Sequence, residues 1–278
     1  MPTAVLLPPE YATSTRRYPV VYMLPGGSNT QDVYVTDPIF LQQMNQLKDS
    51  DQFIVVSPFT GITGFYLNWK DGSHQYETQV IEHLIPAIDR SYRTLADRAH
   101  RGIAGVSMGG WGAALYATRH PQLFSVLGTL SGGSNDQDVP TQQFMLGATM
   151  VQRHCGDGVP LGKFDTYGML GNPKTDPTSW QAVNPSSHAT SLRGMHIYLT
   201  AANGQPCDSA DQAAIQHDPT AASVEAATGR GSKALHASLM AARISDTYQP
   251  RACGVHTSVH FRQEFRDFIP LAGTWLAG

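Results

Sequence analysis

The stretch Gly105-Val106-Ser107-Met108-Gly109-Gly110 combines a hydroxyl nucleophile with the small residues that would expose it. A serine hydroxyl becomes an effective nucleophile only beside a base and clear of its own backbone. Glycines two positions before and after it let a strand and the helix that follows approach closely, which pushes the hydroxyl outward at a sharp elbow. The flanks predict those elements. Gly102 to Val106 is a short apolar run, and Trp111, Ala114, Leu115 and Thr118 then recur at helical spacing until Pro121. A bare Gly-x-Ser-x-Gly also arises by chance as a structural turn in a glycine-rich chain. The strand-turn-helix context is what marks Ser107 as a candidate for covalent acyl transfer.

Such a serine needs oxyanion donors, a base and an acid to orient the base. The run Val20 to Leu24 leads directly into Pro25-Gly26-Gly27-Ser28, so the amides of Gly27 and Met108 are the expected oxyanion donors, with an ordinary strand-to-helix turn as the plainer alternative. Where this chemistry sits on an alternating α/β sheet, the chain order is serine, acid, histidine. Of 11 histidines, His256 lies in a loop just beyond the last expected strand, while His260 falls at the start of a helix and reads as a surface or supporting residue. As a zinc site the pair lacks the glutamate and the third ligand, and no metal or cofactor is expected. The acid is less clear. Asp208 and Asp211 follow one expected strand and Glu225 opens the next helix, and pattern alone leaves Asp208 and Glu225 level.

The positioning elements can be read from periodicity. Strands are expected at 5–7, 20–24, 53–57, 102–106, 124–130, 195–201 and 244–249, and helices at 39–47, 76–92 and 261–271, the second kinked at Pro86. Their alternation predicts a mainly parallel sheet covered on both faces, with ligands gathering at the strand carboxyl ends. Residues 134–191 are polar and rich in Gly and Pro around a helix near 142–153, and are expected to form a cap or substrate-shaping insertion within one domain spanning 1–278. Phe65 and Trp69, in the aromatic stretch Gly64 to Trp69, are candidates to line a substrate cleft or to pack over the core.

Composition removes other classes. The net charge is −3 with 15% charged residues and no basic run, so no nucleic-acid or anionic-membrane surface is expected, and no apolar run is long enough for a membrane-spanning helix. Met1-Pro2-Thr3-Ala4 has neither a basic region nor an apolar one after it, so a secretory signal is expected to be absent or already removed. Three cysteines are too few for a disulfide scaffold and lack zinc spacing. Cys207 and Cys253 follow neighbouring expected strands at one sheet edge, so a single bridge with Cys155 free is expected, against the alternative of three thiols.

Several short stretches, in order and at fixed spacing, carry a family resemblance. They are Tyr22 to Gly27, Gln31 to Tyr34, Phe65 to Trp69, Gly105 to Gly109, Trp180 to Pro185, Asn203 to Pro206 and Gly254 to His256. Over almost its whole length the chain resembles the esterase D and antigen 85 mycolyltransferase group. The resemblance implies an α/β-hydrolase fold and a glutamate acid on a helix about thirty residues before the histidine. Val224-Glu225-Ala226 fits that position. It therefore implies Ser107 as nucleophile, His256 as base and Glu225 as acid, with a solvated helix-start carboxylate as the alternative for Glu225. By the resemblance, the first strand of many relatives is expected to be absent or trimmed here. Pro25 and Ser28 replace a charged Asp and Arg of the mycolyltransferases, and Ser258 replaces a Trp, so the sugar-binding equipment is missing and Ser28 and Ser258 become candidate substrate contacts. The expected function is a secreted serine carboxylesterase acting on a small-molecule or lipid ester through an acyl-enzyme. An acyltransferase passing the acyl group to an alcohol or sugar is the first alternative. A non-catalytic binding module is the second, and an intact Ser, Glu and His set argues against it.

Overall fold

In the computed structural model, residues 1–133, 135, 137 and 139–278 are described. Their seven strands are β1 (Thr3–Leu6), β2 (Val20–Leu24), β3 (Ile54–Pro58), β4 (Arg101–Val106), β5 (Val126–Leu130), β6 (His196–Ala201) and β7 (Thr247–Pro250). They form one sheet in the order β1-β3-β2-β4-β5-β6-β7. Only β1 runs antiparallel to its neighbour. The central strands are buried along their whole length, as expected when helices cover both faces of a parallel sheet.

Alternation along each strand divides the core in two. Tyr22, Leu24, Val56, Ile103, Leu127 and Leu199 pack with Ala113, Leu115 and Tyr116 of the helix Met108–Arg119 and with Leu235 and Leu239 of the helix Thr220–Ala241. On the other face Val21, Met23, Ala104, Val126 and Tyr198 meet Phe40 of the helix Pro38–Asn45 and Phe265, Phe268 and Ile269 of the C-terminal helix Ser258–Leu276. Asp37 caps Pro38–Asn45 by accepting the Ile39 and Phe40 amides at 2.9 Å each. The likeness to the expected architecture is close, with informative departures at element ends.

The kink expected at Pro86 is a π-helical turn over Gln79–Leu84, between helical Tyr76–Thr78 and Ile85–Ser91. Proline has no N–H and crowds the carbonyl four residues back, and the wider turn, with the Ile85 amide on the Val80 carbonyl, accommodates it. The last strand begins at Thr247 and not at Ile244. Arg243 adopts φ 54° and the Ile244 amide reaches back to the Leu239 carbonyl at 2.9 Å, a left-handed helix termination that assigns Ile244 to the end of Thr220–Ala241.

Ser134, where the expected insertion begins, lies outside the described residues. Further on, that stretch holds the helices Val139–Val151 and Pro177–Val183 and a π-turn at Gln152–Gly156. It is tied to the loop after β3, because the Thr63 amide donates to Gln152 Oε1 at 3.0 Å and the Thr63 hydroxyl to the Ala148 carbonyl at 2.7 Å.

Candidate active site

Ser107 links β4 to the helix Met108–Arg119 with φ 57° and ψ −122°. A non-glycine residue held there stores about 1–3 kcal/mol of strain, which the surrounding packing must hold in place. The packing is tight. A Cβ on Gly105 would lie 2.5 Å from the Gly109 backbone, and one on Gly109 only 1.8 Å from the Leu24 carbonyl oxygen. Both glycines are therefore required by close approach, and Gly109 reaches β2 as well as β4. The Ser107 amide donates to the Leu130 carbonyl at 2.9 Å, which fixes the elbow to β5.

The Ser107 hydroxyl donates to His256 Nε2 at 2.7 Å, and His256 Nδ1–H donates to Glu225 Oε2 at 2.6 Å. The histidine comes from the loop after β7, where its amide donates to the Ala221 carbonyl at 3.1 Å and its ring stands edge-on to Phe261. Glu225 lies in the second turn of Thr220–Ala241 and is fully buried. Its Oε1 accepts the Ala202 amide at 2.6 Å and the Ser131 hydroxyl at 2.9 Å. Burial alone would raise the pKa of this carboxyl. The His256 hydrogen bond and charge, with the Ala202 and Ser131 donors, outweigh burial and hold it below the ordinary carboxylate value. Asp208, the competing acid, instead caps the helix Ser209–His217 by accepting the Asp211 amide at 2.9 Å.

The loop carrying Gly27 runs beside the nucleophile. A Cβ on Gly26 would lie 3.4 Å from that of Ser107. Two buried phenols hold the backbone leading into this loop, Tyr34 donating to the Leu24 carbonyl at 2.7 Å and Tyr66 to the Pro25 carbonyl at 2.6 Å. Burial raises both phenol pKa values, so each remains a donor. Met108 opens its helix, so its N–H is one of the four without an intrahelical acceptor.

A cavity of about 450 Å³ opens at Ser107. Phe65, Trp111, Phe144, Met145 and Val224 give it an apolar lining, and Arg230 contributes a charge. Of the four candidate substrate contacts only Phe65 lines it. Trp69 is buried, with its indole N–H on the Gly64 carbonyl at 3.0 Å, and belongs to the core. Ser28 and Ser258 are exposed outside the cavity. Phe144 and Met145 come from the helix expected within the substrate-shaping insertion, though not as individual contacts. Ser131 and Glu264 are not among the expected site residues, and Glu264 carries a signal as a carboxylate on the apolar face defined by Phe261, Phe265 and Phe268.

Cys207 and Cys253 are joined by a disulfide and Cys155 is an exposed thiol. The bridge ties the loop after β6 to the loop bearing His256, alongside the Gly254 amide on the Gln205 carbonyl at 2.7 Å. Cys207, Asp211 and His260 cluster as ligand-type groups. The bonded sulfur offers no thiolate, and Asp211 accepts from the His260 ring and the Cys207 amide. Denatured, unreduced protein is expected to show one reactive thiol on titration, and three would contradict the bridge.

Residues 1–270 match the family model described as "Putative esterase". An esterase of Mycobacterium tuberculosis is 32% identical over 203 residues, which are 71% of this chain and 41% of the relative, so the chain spans less than half of that protein's length. Among solved structures, Mycobacterium tuberculosis MPT51 matches with a TM-score of 0.74 at 20% identity, covering 99% of this chain and 93% of that one. An S-formylglutathione hydrolase from Agrobacterium tumefaciens matches at 0.72 with 16% identity, covering 99% and 89%. These structural likenesses show the fold alone.

Proposed function

Since the chain belongs to the esterase family matched by residues 1–270, we propose that it is a serine carboxylesterase working through an acyl-enzyme. The observation that carries this reading is the hydrogen-bonded line Ser107, His256, Glu225 at the mouth of an apolar cavity. Ser107 Oγ attacks the ester carbonyl as His256 Nε2 takes its proton, and the amides of Gly27 and Met108 receive the developing oxyanion. His256 returns the proton to the departing alcohol, leaving the acyl group on Ser107. Water then repeats the attack, with His256 again as base. Glu225 keeps Nδ1 protonated and stabilises the imidazolium in both halves.

The acyl group occupies the cavity, and the 134–191 stretch shapes it through Phe144 and Met145. This supports apolar acyl esters, aliphatic or aryl, as the substrate class, and one domain over 1–278 with 134–191 as its substrate-shaping insertion. The disulfide supports an oxidising location outside the cytosol. Among the described residues no helix is long and apolar enough to cross a membrane.

A p-nitrophenyl ester series from acetate to decanoate tests the reading. At about 0.8 kcal/mol per buried CH₂, kcat/KM is expected to rise up to ~4-fold per added methylene until the cavity is full. A flat or falling profile, or no hydrolysis of any member, would contradict it.

A further inference from the structure

We propose that Glu264 is a positioning residue for the site, holding a proton on its own carboxyl and donating it to Ser131, so that Ser131 in turn directs its hydroxyl proton onto Glu225. Ser131 Oγ lies 2.9 Å from Glu225 Oε1 and 2.9 Å from Glu264 Oε1. A hydroxyl has one proton to give, and two carboxylates cannot both receive it. Glu225 is already matched as an anion by the Ala202 amide and the His256 ring. Glu264 is not. It is fully buried, and its Oε2 has no hydrogen-bond partner among the described residues.

The cation facing it reaches Glu264 only at the limit of ion-pair distance and is shared with a second carboxylate. Arg251 Nε stands 4.0 Å from Glu264 Oε1, while its Nη2 donates to Asp267 at 2.8 Å. With a proton on Glu264 every contact has a donor and an acceptor: Glu264 O–H to Ser131 Oγ, Ser131 O–H to Glu225 Oε1, His256 Nδ1–H to Glu225 Oε2, Ser107 O–H to His256 Nε2. Burial and the neighbouring Glu225 charge both push the Glu264 carboxyl well above its ordinary range, with Asp267 adding to this and Ser131 and Arg251 opposing it. Tyr198, on β6, also faces this group and is itself pushed to an un-ionised state, chiefly by burial. Ser131 is held at φ 44° with its amide on the Thr200 carbonyl at 2.8 Å, so its hydroxyl is presented between the two acids by a constrained backbone.

The kinetic part of this inference rests on the esterase reading, and the spectroscopic part does not. Glu264→Gln preserves a neutral donor and is expected to keep kcat within about twofold of the parent, whereas Glu264→Leu removes the donor and is expected to lower kcat about tenfold with KM nearly unchanged. In the parent, kcat is expected to fall at alkaline pH as Glu264 ionises, and the Gln variant should lack that fall. Stability gives an independent check. A raised folded pKa contributes stability in full below the ordinary carboxylate value and loses it as pH rises through the folded value, so the Tm advantage of Glu264→Gln over the parent should grow with pH. Infrared difference spectra, parent minus Glu264→Gln at neutral pH, should show the carbonyl stretch of an un-ionised carboxylic acid. Absence of that band, or a Gln variant as impaired as the Leu variant, overturns the inference. A band present in a protein that hydrolyses no ester would overturn the esterase reading and leave Glu264 as assigned.

Discussion

Replacing Ser107 with alanine is expected to lower kcat for ester hydrolysis by about 10⁴-fold or more while leaving thermal unfolding nearly unchanged. The hydroxyl projects from the elbow toward His256 and supplies a bond-forming atom, with little packing around it to lose. His256→Ala is expected to be about as severe, because without Nε2 nothing takes the serine proton. The double variant should be no worse than either single, since nucleophile and base act as one unit. Activity within tenfold of the parent in Ser107→Ala would remove the serine from the mechanism. Losses that multiply in the double variant would separate the two groups.

Glu225→Gln is the second large effect, a fall in kcat of about 10²–10⁴-fold with a smaller change in KM. A neutral amide neither fixes the His256 tautomer nor stabilises the imidazolium. Asp208→Asn should be mild, because that side chain caps a helix and an asparagine cap serves nearly as well. The same carboxylate predicts a pH dependence. The folded pKa of Glu225 lies below the ordinary value despite burial, so its contribution to stability is present above the unfolded pKa and lost as pH falls through the folded one. Acid unfolding curves should therefore differ between the parent and Glu225→Gln most at neutral pH, converging as pH drops. A mild Glu225→Gln together with a severe Asp208→Asn would transfer the acid role.

How far the sequence speaks for this site depends on how locally each residue is determined. Ser107 is legible because its geometry is written in adjacent residues, two glycines that backbone contact requires and a strand-to-helix switch of period. His256 is legible from its place after the last strand. Glu225 is not, because its partners Ala202, Ser131 and His256 come from three distant segments, and only the resemblance separated it from Asp208. The aromatic loop was half readable. Phe65 and Tyr66 take φ 52° and 57°, a reversal that local composition does not announce, and it aims Phe65 into the cavity while Trp69 turns into the core. Ser28 and Ser258 were singled out by what they replace in relatives, which says nothing about where a side chain points. Strand positions are legible because the central strands are short, mainly apolar runs with Gly and Pro near their ends. The residues at their ends were misjudged where an apolar side chain such as Ile244 terminates a helix.

Labelling with a fluorophosphonate tests the central claim most directly, because the reagent phosphonylates a serine only where the hydroxyl is activated by a base beside an oxyanion site. Intact-mass measurement followed by peptide mapping should find one adduct per chain, on Ser107, absent in Ser107→Ala and strongly slowed in His256→Ala. An unlabelled parent protein, or an adduct on any other residue, would contradict the account.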